Sequence, residues 1–159
     1  MEIGIVGLGR MGGNIARRLM RGGHSVAAFD VNADAVAALT RDSAKGVDSL
    51  AALAAALKPP RAVWLMLPAG KVTKDAVAEL ACHLSAGDTV IDGGNTFYKD
   101  DVRRAAELRA KAIHYVDVGT SGGVWGLERG YCMMIGGEKD IVDRLDPIFA
   151  ALRTASPSA

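Results

Sequence analysis

The sequence predicts an α/β protein whose single domain is built on a doubly wound, mainly parallel sheet. Short apolar and β-branched segments, typical of buried strands, alternate along the chain with amphipathic segments of helical spacing. A glycine-rich turn links the first strand to the first helix, as is usual at the start of such a sheet. With 159 residues, 50% of them hydrophobic, the chain is long enough for one domain with a substantial core and short for two.

The first half of the chain is predicted to alternate strands with helices. Apolar residues recur at helical spacing from Met11 to Leu19, before a pair of glycines that ends the helix. A later helix can begin with Ser49 as its N-cap and ends before a Pro-Pro pair. The predicted strands of this half are residues 2–6, 25–30, 61–67 and 88–94, and the predicted helices are residues 11–23, 33–39, 49–57 and 71–84.

The second half continues the alternation. Its predicted elements are a helix at residues 100–112, strands at 113–119 and 131–137, and a helix at 139–152. The last helix is interrupted or restarted near Pro147. Met133 and Met134 fall in the last strand and are predicted to belong to the core. Residues 1–152 are therefore expected to form the domain, and residues 153–159 a tail or the start of a linker.

Composition and charge exclude several classes of partner. The 19 basic and 18 acidic side chains leave a formal charge of +1 without a basic run, so nucleic acid is not expected. No apolar run approaches the roughly 18 residues of a membrane span, and the start of the chain lacks the parts of a signal peptide. We therefore expect a cytoplasmic protein with no membrane partner. Cys82 and Cys132 form no metal-ligand spacing with a histidine, which favours reduced thiols and no metal site.

The turn after the first strand, GLGRMG, has the spacing G-x-G-x-x-G. Gly7 permits a tight turn, Gly9 lets the backbone approach a pyrophosphate, and Gly12 lets strand and helix pack closely. The N-terminus of the helix attracts an anion, which Arg10 is also placed to reach. The turn therefore predicts a Rossmann-type dinucleotide site, with a purely structural turn as the alternative.

A carboxylate ends the second strand where this motif requires one. Asp30 follows the glycines at about 20 residues, where it can accept hydrogen bonds from both ribose hydroxyls. It would repel a 2′-phosphate, and Val31 and Asn32 supply no arginine to neutralise one, so NAD is predicted in preference to NADP. Alternatively, Asp30 only caps the following helix, a role that Asn32 or Asp34 could also fill.

Two further turns follow predicted strands, at the carboxyl edge where ligands bind to such sheets. The turn LPAG, residues 67–70, can line the nicotinamide ribose or can be a plain Pro-Gly turn. The turn DGGN ends in Asn95, whose amide offers a donor and an acceptor to a polyhydroxylated substrate or caps the next helix.

A glycine cluster follows the strand at residues 113–119. The stretch VGTSGGVWGLERG, residues 118–130, has five glycines in thirteen positions. Gly122 and Gly123 remove side chains where backbone must approach something closely, and successive N–H groups beside the Ser121 hydroxyl can bind a carboxylate. A plain flexible loop is the alternative, but a position on the edge that carries the other turns favours binding.

Four stretches in order resemble the N-terminal dinucleotide-binding domain of decarboxylating 6-phosphogluconate dehydrogenase, most closely the NAD-preferring bacterial type. They are GLGRMGGNIARRL, FDVNADAV, DGGNTFYKD and SGGVWGLERGYCMMIGG, and the resemblance runs from Glu2 to about Leu152. It implies that the sugar acid contacts Asn95, Ser121, Gly122 and Gly123. It implies cofactor contacts at Gly7, Leu8, Gly9, Arg10, Met11, Gly12, Asp30, Val31, Asn32, Leu67, Pro68, Ala69 and Asn95.

The resemblance also implies what the chain lacks. Members of this family continue into a helical second domain with a catalytic lysine and glutamate in a K-x-x-H-N-G-x-x-x-G motif, which is absent from these 159 residues. We therefore assign no catalytic residue here and expect the chain alone to be inactive, and the full-length enzyme to be a homo-oligomer. NADP-dependent members carry Asn-Arg-Thr where this chain has Asp30, Val31 and Asn32, which agrees with the predicted preference for NAD.

Two alternative functions remain open at this point. A β-hydroxyacid dehydrogenase of the hydroxyisobutyrate type shares the SGG stretch, but resembles D-x-S-T where this chain has DGGN. A binding module that holds NAD without turnover would also fit the absence of the lysine motif.

Overall fold

Seven strands form one sheet within residues 1–94 and 98–154, the parts of the chain that this computed structural model describes. The strands are β1 (Glu2–Val6), β2 (Ser25–Phe29), β3 (Lys45–Gly46), β4 (Ala62–Leu65), β5 (Thr89–Asp92), β6 (His114–Ser121) and β7 (Cys132–Gly136). Their order is β3-β2-β1-β4-β5-β6-β7, and only the β6–β7 pair is antiparallel in this described sheet. The predicted doubly wound, mainly parallel sheet is confirmed.

Helices connect the strands and cover both faces of the sheet. They are α1 (Arg10–Arg21), α2 (Ala33–Arg41), α3 (Leu50–Ala55), α4 (Lys71–His83), α5 (Tyr98–Arg109), α6 (Gly126–Arg129), α7 (Lys139–Arg144) and α8 (Asp146–Leu152). A 3₁₀ turn at Gly123–Trp125 leads into α6.

Each face of the sheet buries its own core, because alternate side chains of a strand point to opposite faces. On one face, Trp64 of β4 is fully buried with Leu19 of α1, and its ring meets that of Phe149 edge to face at 6.1 Å between centroids. On the other face, Leu65 of β4 packs with Leu53 of α3. Burial on both faces explains why the central strands are apolar throughout.

The strand order reverses between β1 and β4, which are neighbours at the centre of the sheet. Gly4 pairs with Val63 and Val6 pairs with Leu65, so the two strands end level with each other. The chain leaves these ends towards opposite sides of the sheet, which opens a crevice at the carboxyl edge.

Helix boundaries that the sequence predicted from capping chemistry are confirmed. The Ser49 hydroxyl accepts a hydrogen bond from the Ala52 N–H at 3.0 Å and caps α3. The predicted interruption of the last helix lies at Leu145, between α7 and α8, and Pro147 is in the first turn of α8, where its missing N–H costs nothing.

Other features differ from the sequence prediction. The two-residue strand β3 and the short helix α6 were not predicted, because such short segments carry no periodicity. The prediction that Met134 belongs to the core is wrong, since 81% of this residue is exposed. It lies on β7, an edge strand whose residues alternate between exposed and half-buried, and of the two methionines it is Met133 that packs against the core, as Ile135 does.

The chain remains paired with the domain just beyond the predicted boundary at residue 152. The Thr154 N–H donates to the Tyr131 carbonyl at 3.2 Å, and Arg153 forms a parallel bridge with Tyr131.

Within residues 1–94 and 98–154, none of the helices is both long and apolar enough to cross a membrane. Cys82 and Cys132 are exposed and free of disulfides. No group of three or more His, Cys, Asp or Glu side chains within the described part could hold a metal ion.

A fully buried carboxylate, Asp88, joins the starts of β4 and β5. It accepts hydrogen bonds from the Arg61 N–H at 2.6 Å and the Ser85 N–H at 2.8 Å, and pairs with the Arg61 guanidinium at 3.1 Å. Removing it would leave buried donors without an acceptor, which is costlier than the bonds themselves.

We therefore expect Asp88→Ala to lower the free energy of unfolding by about 3 kcal/mol, measured by urea denaturation. Asp143→Ala is the matched control, because Asp143 pairs with Lys139 on the exposed surface and its loss should change stability little. Equal midpoints for the two variants would contradict the role given to Asp88.

Candidate functional site

The turn between β1 and α1 is confined by backbone on two sides. Gly7 has φ +91°, and a Cβ there would overlap the Met66 carbonyl at the end of β4. A Cβ on Gly12 would overlap the Gly7 carbonyl. At Gly9, by contrast, no atom lies within 4 Å of the Cβ position, so the space above the turn is open. The predicted tight turn at Gly7 and the predicted close packing of strand and helix at Gly12 are confirmed. Gly9 leaves room for a ligand.

The N-terminus of α1 points its first-turn N–H groups at this open space. Gly9 is the N-cap and has no side chain to cap them, and no acidic side chain lies in that first turn, whose residues are all described. Uncapped N–H groups and the helix dipole together attract an anion such as a pyrophosphate.

Asp30 connects this turn to the end of β2. One carboxylate oxygen accepts the Leu8 N–H at 2.6 Å, and the other accepts the Asn32 N–H at 2.8 Å. The alternative in which Asp30 caps α2 is wrong, because the N-cap is Asn32, whose side chain accepts the Asp34 N–H at 3.0 Å. Each Asp30 oxygen retains a lone pair for a further donor.

A cavity of about 870 Å³ lies beside the turn, between the end of β2 and α4. Apolar side chains such as Val72 and Ala76 form part of its wall. Its carboxylates are those of Asp30, Asp48, Asp75 and Glu79. No lysine or arginine of the described chain lines it, so the cavity is suited to a flat apolar ring beside a hydroxylated group without negative charge.

An adjoining groove of about 1030 Å³ shares Asp30, Val31 and Asp48 with the cavity. Arg41, at the end of α2, lines this groove. The two positions after Asp30 do not reveal this cation, because Arg41 comes near only where α2 runs back along the sheet.

The structure gathers part of the predicted cofactor set around the cavity. Those that line it are Gly7, Gly9, Asp30, Val31, Leu67 and Pro68. The other described members of the set do not line the cavity. Leu8 and Asn32 donate hydrogen bonds to Asp30, and Gly12 packs beneath the turn. Met11 contacts β6, and Arg10 and Ala69 are exposed. Asn95 lies outside the described residues.

We call residues 121–131 the glycine loop. Its start lies beside α1, because the Thr120 hydroxyl donates to the Met11 sulfur at 3.3 Å. The end of β6 and the N-terminus of α1 therefore meet, and Ser121 is exposed next to that junction. The predicted proximity of the glycine cluster to the first turn follows from this contact.

Two of the four glycines of this loop, Gly122 and Gly126, are explained by one buried ring. A Cβ on Gly122 would lie 2.8 Å from Cδ1 of Tyr131 and 3.1 Å from the Gly130 carbonyl oxygen, and a Cβ on Gly126 would overlap the same ring. Gly123 differs, since it has φ +51° and open space at its Cβ position. What approaches Gly122 closely is thus the chain's own tyrosine, and only Gly123 faces open space.

Tyr131 itself is 1% exposed, and its hydroxyl has no hydrogen-bond partner among the described residues. Burial raises the pKa of this phenol, while the nearby Arg18 charge acts in the opposite direction. The ring is neutral at physiological pH and serves as the apolar support of the loop.

Asp92 holds the backbone at Gly94 and was not singled out from the sequence. It is fully buried at the end of β5, accepts the Tyr115 hydroxyl at 2.9 Å and the Gly94 N–H at 3.1 Å, and lies 3.5 Å from the Arg104 guanidinium. A charged residue in an otherwise apolar strand was the available signal.

A family model described as the NAD binding domain of 6-phosphogluconate dehydrogenase matches residues 2–155. The chain belongs to this family. It is 42% identical over 154 residues to an NAD(+)-dependent, decarboxylating 6-phosphogluconate dehydrogenase of Haloferax volcanii, covering 97% of this chain and 50% of that protein. The chain thus spans about half the length of that relative.

Solved structures agree with this membership. The 6-phosphogluconate dehydrogenase of Plasmodium falciparum, solved with NADP+ and with 6-phosphogluconate, superposes with TM-score 0.91 at 27% identity, covering 98% of this chain and 34% of that one. A 3-hydroxyisobutyrate dehydrogenase of Salmonella typhimurium gives TM-score 0.88 at 27% identity, covering 97% and 54%. The fold is therefore that of an NAD(P)-binding domain of this oxidoreductase family.

The packing around Tyr131 can be tested by a single methyl group. We expect Gly122→Ala to lower the free energy of unfolding by about 1 to 3 kcal/mol, because the methyl overpacks against the ring. Gly119→Ala, in β6, is the control, since the nearest atom to its Cβ position is 3.9 Å away. Equal free energies of unfolding for the two variants would show that the Tyr131 ring moves aside at no cost in stability.

Proposed function

We propose that this chain is the dinucleotide-binding half of a decarboxylating 6-phosphogluconate dehydrogenase. In that reaction a hydride passes from C3 of 6-phosphogluconate to NAD, and the 3-keto acid then loses carbon dioxide to give ribulose 5-phosphate. The observation that carries the proposal is the junction of Thr120 with Met11, which brings the glycine loop beside the helix whose N-terminus faces the open turn. The chain would supply the cofactor site and part of the substrate site.

The preference for NAD over NADP rests on charge. We propose that Asp30 lies at the ribose, where it would meet a 2′-phosphate. Asp48 and Glu79 add negative charge around the same cavity, whereas Asp75 pairs with Lys71 at 2.6 Å. Arg41 in the adjoining groove is a cation that could offset the remaining charge. Because a carboxylate at the ribose repels phosphate at short range, we expect the repulsion from Asp30 to outweigh the attraction of Arg41 for a 2′-phosphate.

We keep Asn95, Ser121 and Gly123 as proposed substrate contacts and give Gly122 a packing role. Ser121 and Gly123 are exposed at the junction with α1, so a hydroxyl and backbone groups there can meet a carboxylate. Gly122 contributes by letting the loop pack against Tyr131. Asn95, which follows the turn that Asp92 supports, is proposed to contact both ligands.

A β-hydroxyacid dehydrogenase of the hydroxyisobutyrate type is the second candidate, favoured by the similarity in fold to the Salmonella enzyme. The DGGN turn argues for the sugar acid, and comparing the two substrates with a full-length enzyme would decide. Cytoplasmic location, homo-oligomeric assembly and the boundary at residue 152 remain predictions.

Cofactor choice tests the charge argument. Asp30→Asn removes the charge and the acceptor for the Asn32 N–H but keeps an acceptor for the Leu8 N–H, so it disturbs the turn less than alanine would. We expect it to weaken NAD binding by about 1 to 3 kcal/mol and to narrow the gap to NADP, measured by calorimetry. Asp34→Asn, at the exposed start of α2, is the control and should change neither affinity. Wild-type chain that binds NADP as tightly as NAD would refute the preference.

Turnover by the isolated chain is a separate test. We expect the purified 159-residue chain to bind NAD but to form no NADH from 6-phosphogluconate, because the lysine motif is absent from it. General base catalysis alone typically supplies 10² to 10⁴-fold, and substrate positioning would be lost as well. Sustained NADH production, followed by absorbance, would place the general base within this chain.

A further inference from the structure

Arg18, on the third turn of α1, hydrogen-bonds to backbone carbonyls of two distant segments. Its Nη1 donates to the Leu127 carbonyl of α6 at 3.1 Å. Its Nε donates to the Ala151 carbonyl at 2.9 Å, and its Nη2 donates to the Arg153 carbonyl at 3.0 Å. The planar guanidinium group of Arg18 therefore joins α1 to the glycine loop and to the end of α8.

These bonds satisfy carbonyls that helix geometry leaves without partners. Helix α6 has only four residues, from Gly126 to Arg129, and most of its carbonyls cannot find an N–H within the helix. Arg18 fills that deficit at Leu127, and Ala151 and Arg153 are in the same position at the end of α8. Hydrogen bonds from a charged donor are about twice as strong as neutral ones.

The glycine loop is thus attached to α1 at two places, at its start and around Leu127. Met11, in the first turn of the helix, contacts Thr120 just before the loop, and Arg18 holds Leu127 within it. An exposed pair between Arg21 and Glu128, at 3.2 Å, adds to the second attachment. The helix that begins at the open Gly9 therefore fixes the position of the loop that follows β6.

We propose that Arg18 is a positioning residue that couples the dinucleotide site to the glycine loop through α1. A dinucleotide held at the N-terminus of α1 restrains the helix, and Arg18 transmits that restraint to the loop. The part of this proposal that concerns ligands rests on the proposed function. The part that concerns Arg18 and the loop does not.

Arg17 supplies a matched control on the next position of the same helix. Its guanidinium pairs with Asp42 at 2.8 Å and with the Asn14 side chain at 3.2 Å, on the α2 side of α1. Arg17→Gln therefore removes an equal charge from α1 without touching the glycine loop. Arg18→Lys keeps the charge but cannot reach three carbonyls with a planar fork.

Amide hydrogen exchange on the 159-residue chain tests the first part. We expect Arg18→Gln to speed exchange within residues 122–131 at least about fivefold, with β1 and β4 unchanged, and Arg18→Lys to restore the protection in part. Arg17→Gln should leave the loop as in wild type. Loop exchange that is equal in the Arg17 and Arg18 variants, or a uniform loss of protection across the sheet, would overturn the positioning role.

Fluorescence gives an independent measurement of the loop. Of the two tryptophans, Trp64 is fully buried, whereas Trp125 lies in the loop and is 60% exposed. Emission that acrylamide quenches therefore comes from Trp125. The Stern–Volmer constant should rise in Arg18→Gln and not in Arg17→Gln, and an unchanged constant in both would oppose the proposal.

Saturating NAD tests the coupling, and the wild-type chain alone can overturn it even if Arg18→Gln folds poorly. We expect NAD to slow exchange in residues 122–131 of the wild type at least about twofold, and to lose this effect in Arg18→Gln while still binding. If calorimetry shows no binding of NAD to the wild type, the proposed function fails. If NAD binds and the loop exchange does not change, only the coupling through Arg18 is overturned.

Discussion

Backbone crowding at Gly7 determines how the first strand, the first helix and β4 meet. The Gly7 position borders the Met66 carbonyl, and Gly12 borders the Gly7 carbonyl, so neither site has room for a side chain. This close approach directs the N-terminus of α1 along the carboxyl edge, at the point where the strand order reverses. The open space over Gly9 is the consequence, and the cavity beside it depends on the same crowding.

Asp30 has two roles that do not compete. It holds the turn through the Leu8 N–H, and it leaves its negative charge at the wall of the cavity. At about 4 Å and an effective dielectric constant of about 20, two like unit charges repel by about 4 kcal/mol, an upper limit for a half-exposed group. A hydrogen bond to a charged acceptor contributes about 1.5 to 3 kcal/mol. If Asp30 contacts the ribose as proposed, the repulsion of a 2′-phosphate would be as large as that contact, and both would favour NAD.

Local chemistry explains why much of this could be predicted. The turn at Gly7, the carboxylate at the end of β2 and the cap at Ser49 are each read from a few adjacent residues, and the structure places all three as expected. The packing of Gly122 on Tyr131 and the reach of Arg18 to Leu127 depend on segments far apart in sequence. No local pattern carries such contacts.

The exposure of Met134 shows the same limit in the sheet. An apolar run predicts a strand, but it does not reveal whether that strand has a neighbour on each side. Because β7 lies at the edge, its outer positions face solvent although their residues are apolar.

We propose that a dinucleotide occupies the open space over Gly9, and calorimetric titration of NAD into Gly9→Val measures whether it does. The valine meets no atom of the chain within 4 Å of its Cβ, so the fold should be unaffected while NAD affinity falls at least about tenfold, or 1.4 kcal/mol. Gly136→Val, on β7, should bind as the wild type does, since the nearest atom to its Cβ position is the Asp117 carbonyl oxygen of β6, 4.0 Å away. A folded Gly9→Val chain with unchanged NAD affinity would contradict the account.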